Sequence, residues 1–314
     1  MDEARTAKRR AFLSTELDDP RRIQLRQGRF LEEFRCRGQG DDIVEISHHL
    51  TNLRRADDSD AAEAFAVFQR QEMYAVEYAQ ELEYPLQYRI PLPEPIIPSC
   101  PFSDLIRGRR SVRNFQRRPL TMQQLSALMF CALGETGRIT TAFEGEQPVE
   151  ASLRSIPSGG ALHPTRIFVV LLQEGDLAPG IYHYDAPEHS LELAKPLFGK
   201  EIEALFTAFP IHPDVIDLAQ ASGIFFITTR FWRARAKYGP RGYRYCLQEA
   251  GAACQNLSLA AVALGLAHTV LGGFYDDEVH ARLQLDGVDH AVITSVAVGA
   301  PDAQQERGLR NADF

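Results

Sequence analysis

The chain has 314 residues, 45% of them hydrophobic and 24% charged, which are the proportions of a folded globular protein and exclude a disordered one. Its 34 basic and 42 acidic residues leave a net charge of -8, which argues against a binder of phosphate backbones. Five cysteines (Cys36, Cys100, Cys131, Cys246 and Cys254), odd in number and without CxxC spacing, point to reduced thiols in a cytoplasm and away from a disulfide framework or zinc site.

The N-terminus carries Arg5, Lys8, Arg9 and Arg10 with no apolar core behind them, so it is not a secretory signal. Arg21 to Arg37 reads as a short helix. Ala61 to Tyr84 reads as a longer amphipathic one, with Ala64, Phe68, Met73 and Val76 near helical spacing and N-cap chemistry at Asp58, Ser59 and Asp60. Pro85 to Pro101 then holds six of the chain's 18 prolines, which excludes helix and argues against a central strand. We expect an extended surface connector there, so that residues 1–100 form a helical and extended arm and 101–314 a separate domain.

Within that domain, Thr121 to Leu133 should be a helix capped by Thr121. Arg166 to Leu172 should be a buried strand, and Ile181–Tyr184 with Leu191–Leu193 a hairpin. Glu201–Phe209 and Asp214–Ala221 read as helices and Ile224–Phe231 as a second core strand. Ser222, Gly223 and Arg230 stop this most apolar run far short of the ~20 residues of a membrane span. Tyr243 to Leu264 is a long, almost wholly apolar helix that should be buried on most faces. Ala267–Leu271, a helix over Asp276–Leu283 and a strand over Ala291–Val298 complete the domain. Helices and strands interleave, which gives an α+β or α/β domain without internal repeats.

Three stretches carry chemistry. Arg107 to Phe115, RGRRSVRNF, offers bidentate guanidiniums and a hydroxyl suited to a phosphate, or a solvated basic loop. Ile156 to Pro164, IPSGGALHP, has adjacent glycines that permit close backbone approach to a flat ligand, or a tight turn into the next strand. His163 within it reads as a turn residue, and no histidine belongs to a metal-ligand cluster. Lys237-Tyr238 comes after a core strand and precedes Gly239-Pro240. An ammonium beside a phenol favours the phenolate, a general base, although a strand end can also carry such a pair for packing.

The joint order of RGRRSVRNF, PSGGALHP, AKYGPRGYRY, EAGAACQNLSLAAVALGL and LGGFYDD resembles the flavin-dependent nitroreductase superfamily. More narrowly, it resembles the SagB-type azoline dehydrogenases, over Phe102 to Pro301. The resemblance implies an α+β nitroreductase-like fold with a central mixed sheet flanked by helices and FMN at a homodimer interface. By position, Arg109, Ser111 and Arg113 would hold the phosphate and ribityl end of FMN. Pro157, Ser158, Gly159, Gly160 and Ala161 would line the isoalloxazine from the other subunit, and Gly272 and Gly273 would approach it through backbone groups. Lys237 and Tyr238 match the family's catalytic pair. The implied reaction is oxidation of thiazoline or oxazoline rings in a peptide to thiazole or oxazole, with a cyclodehydratase or synthetase as partner and neither nucleic acid nor membrane involved. Ala252, where many members carry His, and Arg235-Ala236 before the pair depart from the family pattern and bear on substrate fit. The rival readings are a NAD(P)H-dependent nitro- or quinone reductase of the same fold and a flavin-bound scaffold of a modifying complex.

Overall fold

The computed structural model describes Ser47, His48, Thr51, residues 89–141 and residues 149–302. The chain divides into two compact units, Met1–Asp58 and Ser59–Phe314. In the first, Thr51 closes a single turn by donating to the Ser47 and His48 carbonyls. The helices expected over Arg21–Arg37 and Ala61–Tyr84 lie outside the described residues. The second unit holds the sheet and all three chemistry-bearing motifs.

Its sheet is built on two apolar runs, β5 (Thr165–Leu171) and β8 (Gly223–Arg230), which pair antiparallel with Ile167 opposite Ile227 and Phe168 opposite Phe226. Strand side chains alternate between faces, and both faces are covered, so both strands read as continuous hydrophobic runs. Ile167, Val169, Phe225 and Ile227 pack on one side with α2 (Met122–Leu133) and α5 (Arg241–Ala263), through Leu125, Leu128, Ala253 and Leu257. Phe168, Val170, Ile224 and Phe226 pack on the other, where Leu205 of α3 (Gly199–Phe206) and Val279 and Leu283 of α6 (Asp276–Leu283) close the second core layer. Thr121 caps α2 as its sequence implies: its hydroxyl accepts from Gln124 N–H while the Gln124 side chain accepts from Thr121 N–H, satisfying two of the helix's free donors.

The strand order is β1-β7-β6-β5-β8-β10-β2, where β2 is Phe115–Gln116, with β9 also on β10. Here β6 (Gly180–Asp185) and β7 (Ser190–Pro196) form the expected hairpin. β1 (Arg89–Pro91) lies at the edge against β7, where a proline costs no central ladder bond. Every pairing among the described strands is antiparallel, so the expected mixed sheet is corrected. β8 and β9 (Ala267–Leu271), joined through α4 (Phe231–Tyr238) and α5, do run in one direction. The last strand, β10 (His290–Pro301), inserts between them antiparallel to both.

Other expectations also change. The strand read over Ile224–Phe231 ends at Arg230, and Phe231 opens α4. Asp214–Ala221 forms only a short 3-10 turn at Leu218–Gln220, capped by the Asp217 carboxylate on Ala219 N–H. The long helix is not buried on most faces: Tyr243 and Leu247 are 40% and 38% exposed, and Gly251 lies on the same stripe. β3 (Glu135–Thr141) and β4 (Val149–Arg154) pair as a separate two-stranded sheet that the sequence reading missed: Val149, Ala151 and Leu153 alternate with polar residues in β4, but β3 has no such pattern.

Candidate active site

Antiparallel register gathers three loops at one edge of the sheet. Thr165 begins β5 opposite Thr229 near the end of β8, β10 begins at His290 opposite Arg230, and β9 runs out past Ser295 toward that edge. The segment Pro157–Pro164, helix α4 and Gly272-Gly273 therefore emerge together.

Lys237 and Tyr238 occupy the last turn of α4, not a turn at a strand end as expected. Asp289 fixes the start of that helix, its carbonyl accepting from Phe231 N–H at 2.8 Å and its carboxylate from Trp232 N–H at 2.7 Å. Gly239, at φ +55°, ends the helix. Gly242 then lets α5 approach so closely that a methyl there would lie 2.5 Å from the Ala234 carbonyl oxygen. The Tyr238 ring stands edge-on to Tyr245, centroids 4.9 Å apart, and Lys237 Nζ lies 5.6 Å from the Tyr238 ring centroid. Both side chains are half-buried.

The polar ends of this pair meet the glycine loop. A methyl on Gly160 would fall 2.6 Å from Tyr238 Oη and 2.8 Å from Lys237 Nζ, and one on Gly159 would fall 3.3 Å from the Tyr245 ring. Two motifs distant in sequence thus share one small volume that only glycine leaves open. The loop is bent tightly: Gly160, Ala161 and His163 have φ of +65°, +54° and +46°. Ser158 Oγ accepts from His163 N–H at 2.8 Å, which ties the start of the loop to its bend. Glu249 on α5 accepts from Thr165 N–H at 3.3 Å. His163 is a tether: Nε2–H donates to the Ser152 carbonyl at 2.9 Å, and burial, reinforced by Arg154, lowers its pKa to about 4, keeping it neutral.

The arginine motif lies elsewhere in the chain. It begins in the last turn of α1 (Phe102–Gly108), and Arg109 caps that end by donating its N–H to the Leu105 carbonyl. Val112 N–H donates to the His268 carbonyl at 2.8 Å and pins the motif along β9. Arg109 is half-buried, while Ser111 and Arg113 are exposed. No hydrogen bond or ion pair among the described residues engages these three side chains. Gly272 and Gly273, just past β9, have no positive φ, and a methyl on either would meet nothing, so the chain's own packing does not require them to be glycine. Between α1, the arginine motif and β9 lies a cavity of about 450 Å³ lined by Leu105, Gly108, Arg110, Val112, Leu266 and His268.

His268 escaped the sequence reading because a lone histidine in a strand carries no signal. It is 2% exposed, and its Nε2 has no partner. Burial, then the Arg109 charge, lowers its pKa to about 4. Arg109, Ser111 and Arg113 offer guanidinium and hydroxyl donors of the kind that hold the phosphate of a cofactor such as FMN, and Gly272 and Gly273 leave room for close backbone approach. The structure brings Lys237 and Tyr238 together with Gly159 and Gly160, with Gly272-Gly273 emerging at the same end of the sheet, while the arginine motif lies against β9 at His268.

The profile of the nitroreductase family matches residues 106–300. The chain belongs to that family, whose members are flavin-dependent oxidoreductases. It is 30% identical over 197 residues to the nitroreductase-like protein MJ1384 of Methanocaldococcus jannaschii, covering 61% of this chain and 88% of that one. It is 30% identical over 152 residues to the microcin B17-processing protein McbC of Escherichia coli, covering 47% and 54% of the two chains. With the trifolitoxin-processing protein TfxB of Rhizobium leguminosarum bv. trifolii it shares 29% over 182 residues, covering 57% and 47%. The chain thus spans about half the length of the two processing proteins. Among solved structures, a nitroreductase from Anabaena variabilis superposes with a TM-score of 0.59 at 23% identity, over 84% of this chain and 47% of that one. A chain of the E. coli microcin synthetase McbBCD complex with truncated pro-MccB17 bound superposes at 0.51 and 21% identity, over 80% and 98%. Both likenesses concern the fold. No helix among the described residues is long and apolar enough to cross a membrane.

Proposed function

We propose that this protein is a cytoplasmic FMN enzyme that oxidises thiazoline or oxazoline rings in a peptide to thiazole or oxazole. The observation that carries the reading is the convergence of Lys237 Nζ and Tyr238 Oη on Gly160 in a nitroreductase-family fold. Similarity to proteins named for processing microcin B17 and trifolitoxin supports a peptide substrate.

Arg109, Ser111 and Arg113 would hold the FMN phosphate and ribityl end. Gly272 and Gly273 would approach the ring through backbone groups, and Pro157, Ser158, Gly159, Gly160 and Ala161 would line the isoalloxazine from the partner of a homodimer. When bound, FMN supplies the acceptor for the hydride that leaves the substrate ring. Tyr238 Oη takes the acidic proton from the substrate's former α-carbon, and the Lys237 ammonium favours the phenolate that does so. Aromatisation drives the reaction, so the protein's task is to place the azoline ring and the base. A cyclodehydratase or synthetase partner would make the azoline.

The test is incubation of the FMN-loaded protein with an azoline-containing peptide in air, and separately with NADH or NADPH and a nitro or quinone acceptor. The expected result is loss of two hydrogens per ring by mass spectrometry. Nicotinamide oxidation without azole formation would overturn the reading in favour of a reductase.

A further inference from the structure

The loop from Ser158 to Thr165 places three of four consecutive residues, Gly160, Ala161 and His163, at positive φ, and two of those are not glycine. Such backbone persists only where surrounding contacts over-determine it. Arg166 supplies one, its guanidinium donating to the His163 carbonyl at 2.6 Å, and Glu249 another. Glu249 is 3% exposed, projects from the interior of α5 and accepts from Thr165 N–H at 3.3 Å, and the Ser158 hydroxyl at the other end of the loop stabilises its carboxylate. Ser158 Oγ in turn accepts from His163 N–H at 2.8 Å, which leaves the hydroxyl proton for that carboxylate. One buried carboxyl thus gathers Ser158 and Thr165 and, through Ser158, His163. Midway along this loop sits Gly160, whose missing side chain leaves room for Lys237 Nζ and Tyr238 Oη.

We propose that Glu249 is a positioning residue that latches the Ser158–Thr165 loop and so holds Gly160 against the polar ends of Lys237 and Tyr238. The catalytic part of this inference rests on the reading of that pair as the base; the latch itself does not. Burial raises the Glu249 pKa while the bonds from Ser158 and Thr165 oppose that shift, so the carboxyl is held by the loop as much as the loop is held by it. No other acid among the described residues bonds the loop.

The experiment compares Glu249→Leu, Glu249→Gln, Ser158→Ala and the Glu249→Leu/Ser158→Ala double variant, all loaded with FMN. Amide hydrogen exchange of residues 158–165 reads the latch, and the limiting rate of anaerobic flavin reduction by an azoline peptide reads its effect on the pair. Exchange in the loop should accelerate roughly 10- to 100-fold in Glu249→Leu and Ser158→Ala, with the rest of the sheet unchanged. The double variant should be no faster than the worse single one, because the two residues act as a unit. Glu249→Gln keeps an acceptor for Thr165 N–H and should retain protection. The limiting rate should fall in the two disrupting variants while hydrogen exchange in the rest of the sheet stays unchanged, a split that general destabilisation would not produce. Unchanged loop protection in Glu249→Leu, or additive effects in the cycle, overturns the latch. If Glu249→Leu fails to fold, Ser158→Ala alone decides, since it removes one bond and no packing of consequence. Loss of protection together with full activity in Tyr238→Phe would leave the latch standing and refute the base.

Discussion

Gly160 is where packing and chemistry can be separated by a single methyl. In Gly160→Ala the added carbon would sit 2.6 Å from Tyr238 Oη and 2.8 Å from Lys237 Nζ, whereas ordinary contact begins at 3.4 Å. Both obstructing atoms are the ends of flexible side chains, so each retreats by roughly 0.6–0.8 Å instead of forcing the backbone apart, and a misplacement near 1 Å can cost ~10²-fold in rate. Alanine at φ +65° adds a penalty of roughly 1–2 kcal/mol, well inside the ~5–15 kcal/mol that keeps a domain folded. The variant should therefore fold, bind FMN and reduce it with an azoline peptide about 10- to 100-fold more slowly than wild type. FMN content, thermal midpoint and anaerobic single-turnover flavin reduction check the three statements. A Gly160→Ala protein with wild-type reduction rates would refute the reasoning, because the contact between loop and pair would then be irrelevant to turnover. Gly272→Ala is the counterpart: a methyl there meets nothing in this chain, so any loss of FMN affinity would report the ligand itself.

Lys237→Ala and Tyr238→Phe should retain FMN while losing azole formation by ~10²–10⁴-fold, without additivity, as measured by product mass; near-normal activity in Tyr238→Phe would leave the ring only a packing role. Replacing Arg109 and Arg113 together by Ala should weaken FMN binding, since each charge-assisted bond contributes roughly 1.5–3 kcal/mol; fluorescence titration of the apoprotein with FMN would show it. Stability should fall as the pH drops from about 6.5 toward 4. Burial lowers His163 and His268 to about 4 and His290 to about 3, so the unfolded chain binds protons that the folded chain refuses. The stability these neutral histidines confer is complete above pH 6.5, and urea midpoints across that interval should decline steadily; a flat profile contradicts their buried, neutral state.

Much of this architecture is written in local sequence. The β5 and β8 runs were legible because a strand buried on both faces must be apolar throughout, and Thr121 with Gln124 spelled out a cap. What sequence could not convey was long-range register. Lys237-Tyr238 reads equally well as a strand end; it becomes helical because Asp289, from a distant turn, satisfies the first donors of α4. The antiparallel insertion of β10 between β8 and β9 has no local signature, since a strand's direction relative to its neighbours depends on where the chain returns. The site motifs were visible as residue types, and two of them came together as Gly160 with Lys237 and Tyr238. His268 and Glu249 were hidden, because burial without a ligand-spacing pattern leaves single polar residues indistinguishable from satisfied core ones.

The most direct measurement is anaerobic mixing of the FMN-loaded protein with an azoline-containing peptide, with flavin absorbance and peptide mass read in the same sample. The flavin should bleach in step with azole formation, one flavin reduced for each ring that loses two hydrogens, and oxygen should restore the colour. A flavin that stays oxidised with the azoline peptide, yet bleaches at once with NADH or NADPH, would contradict azoline oxidation as the protein's activity.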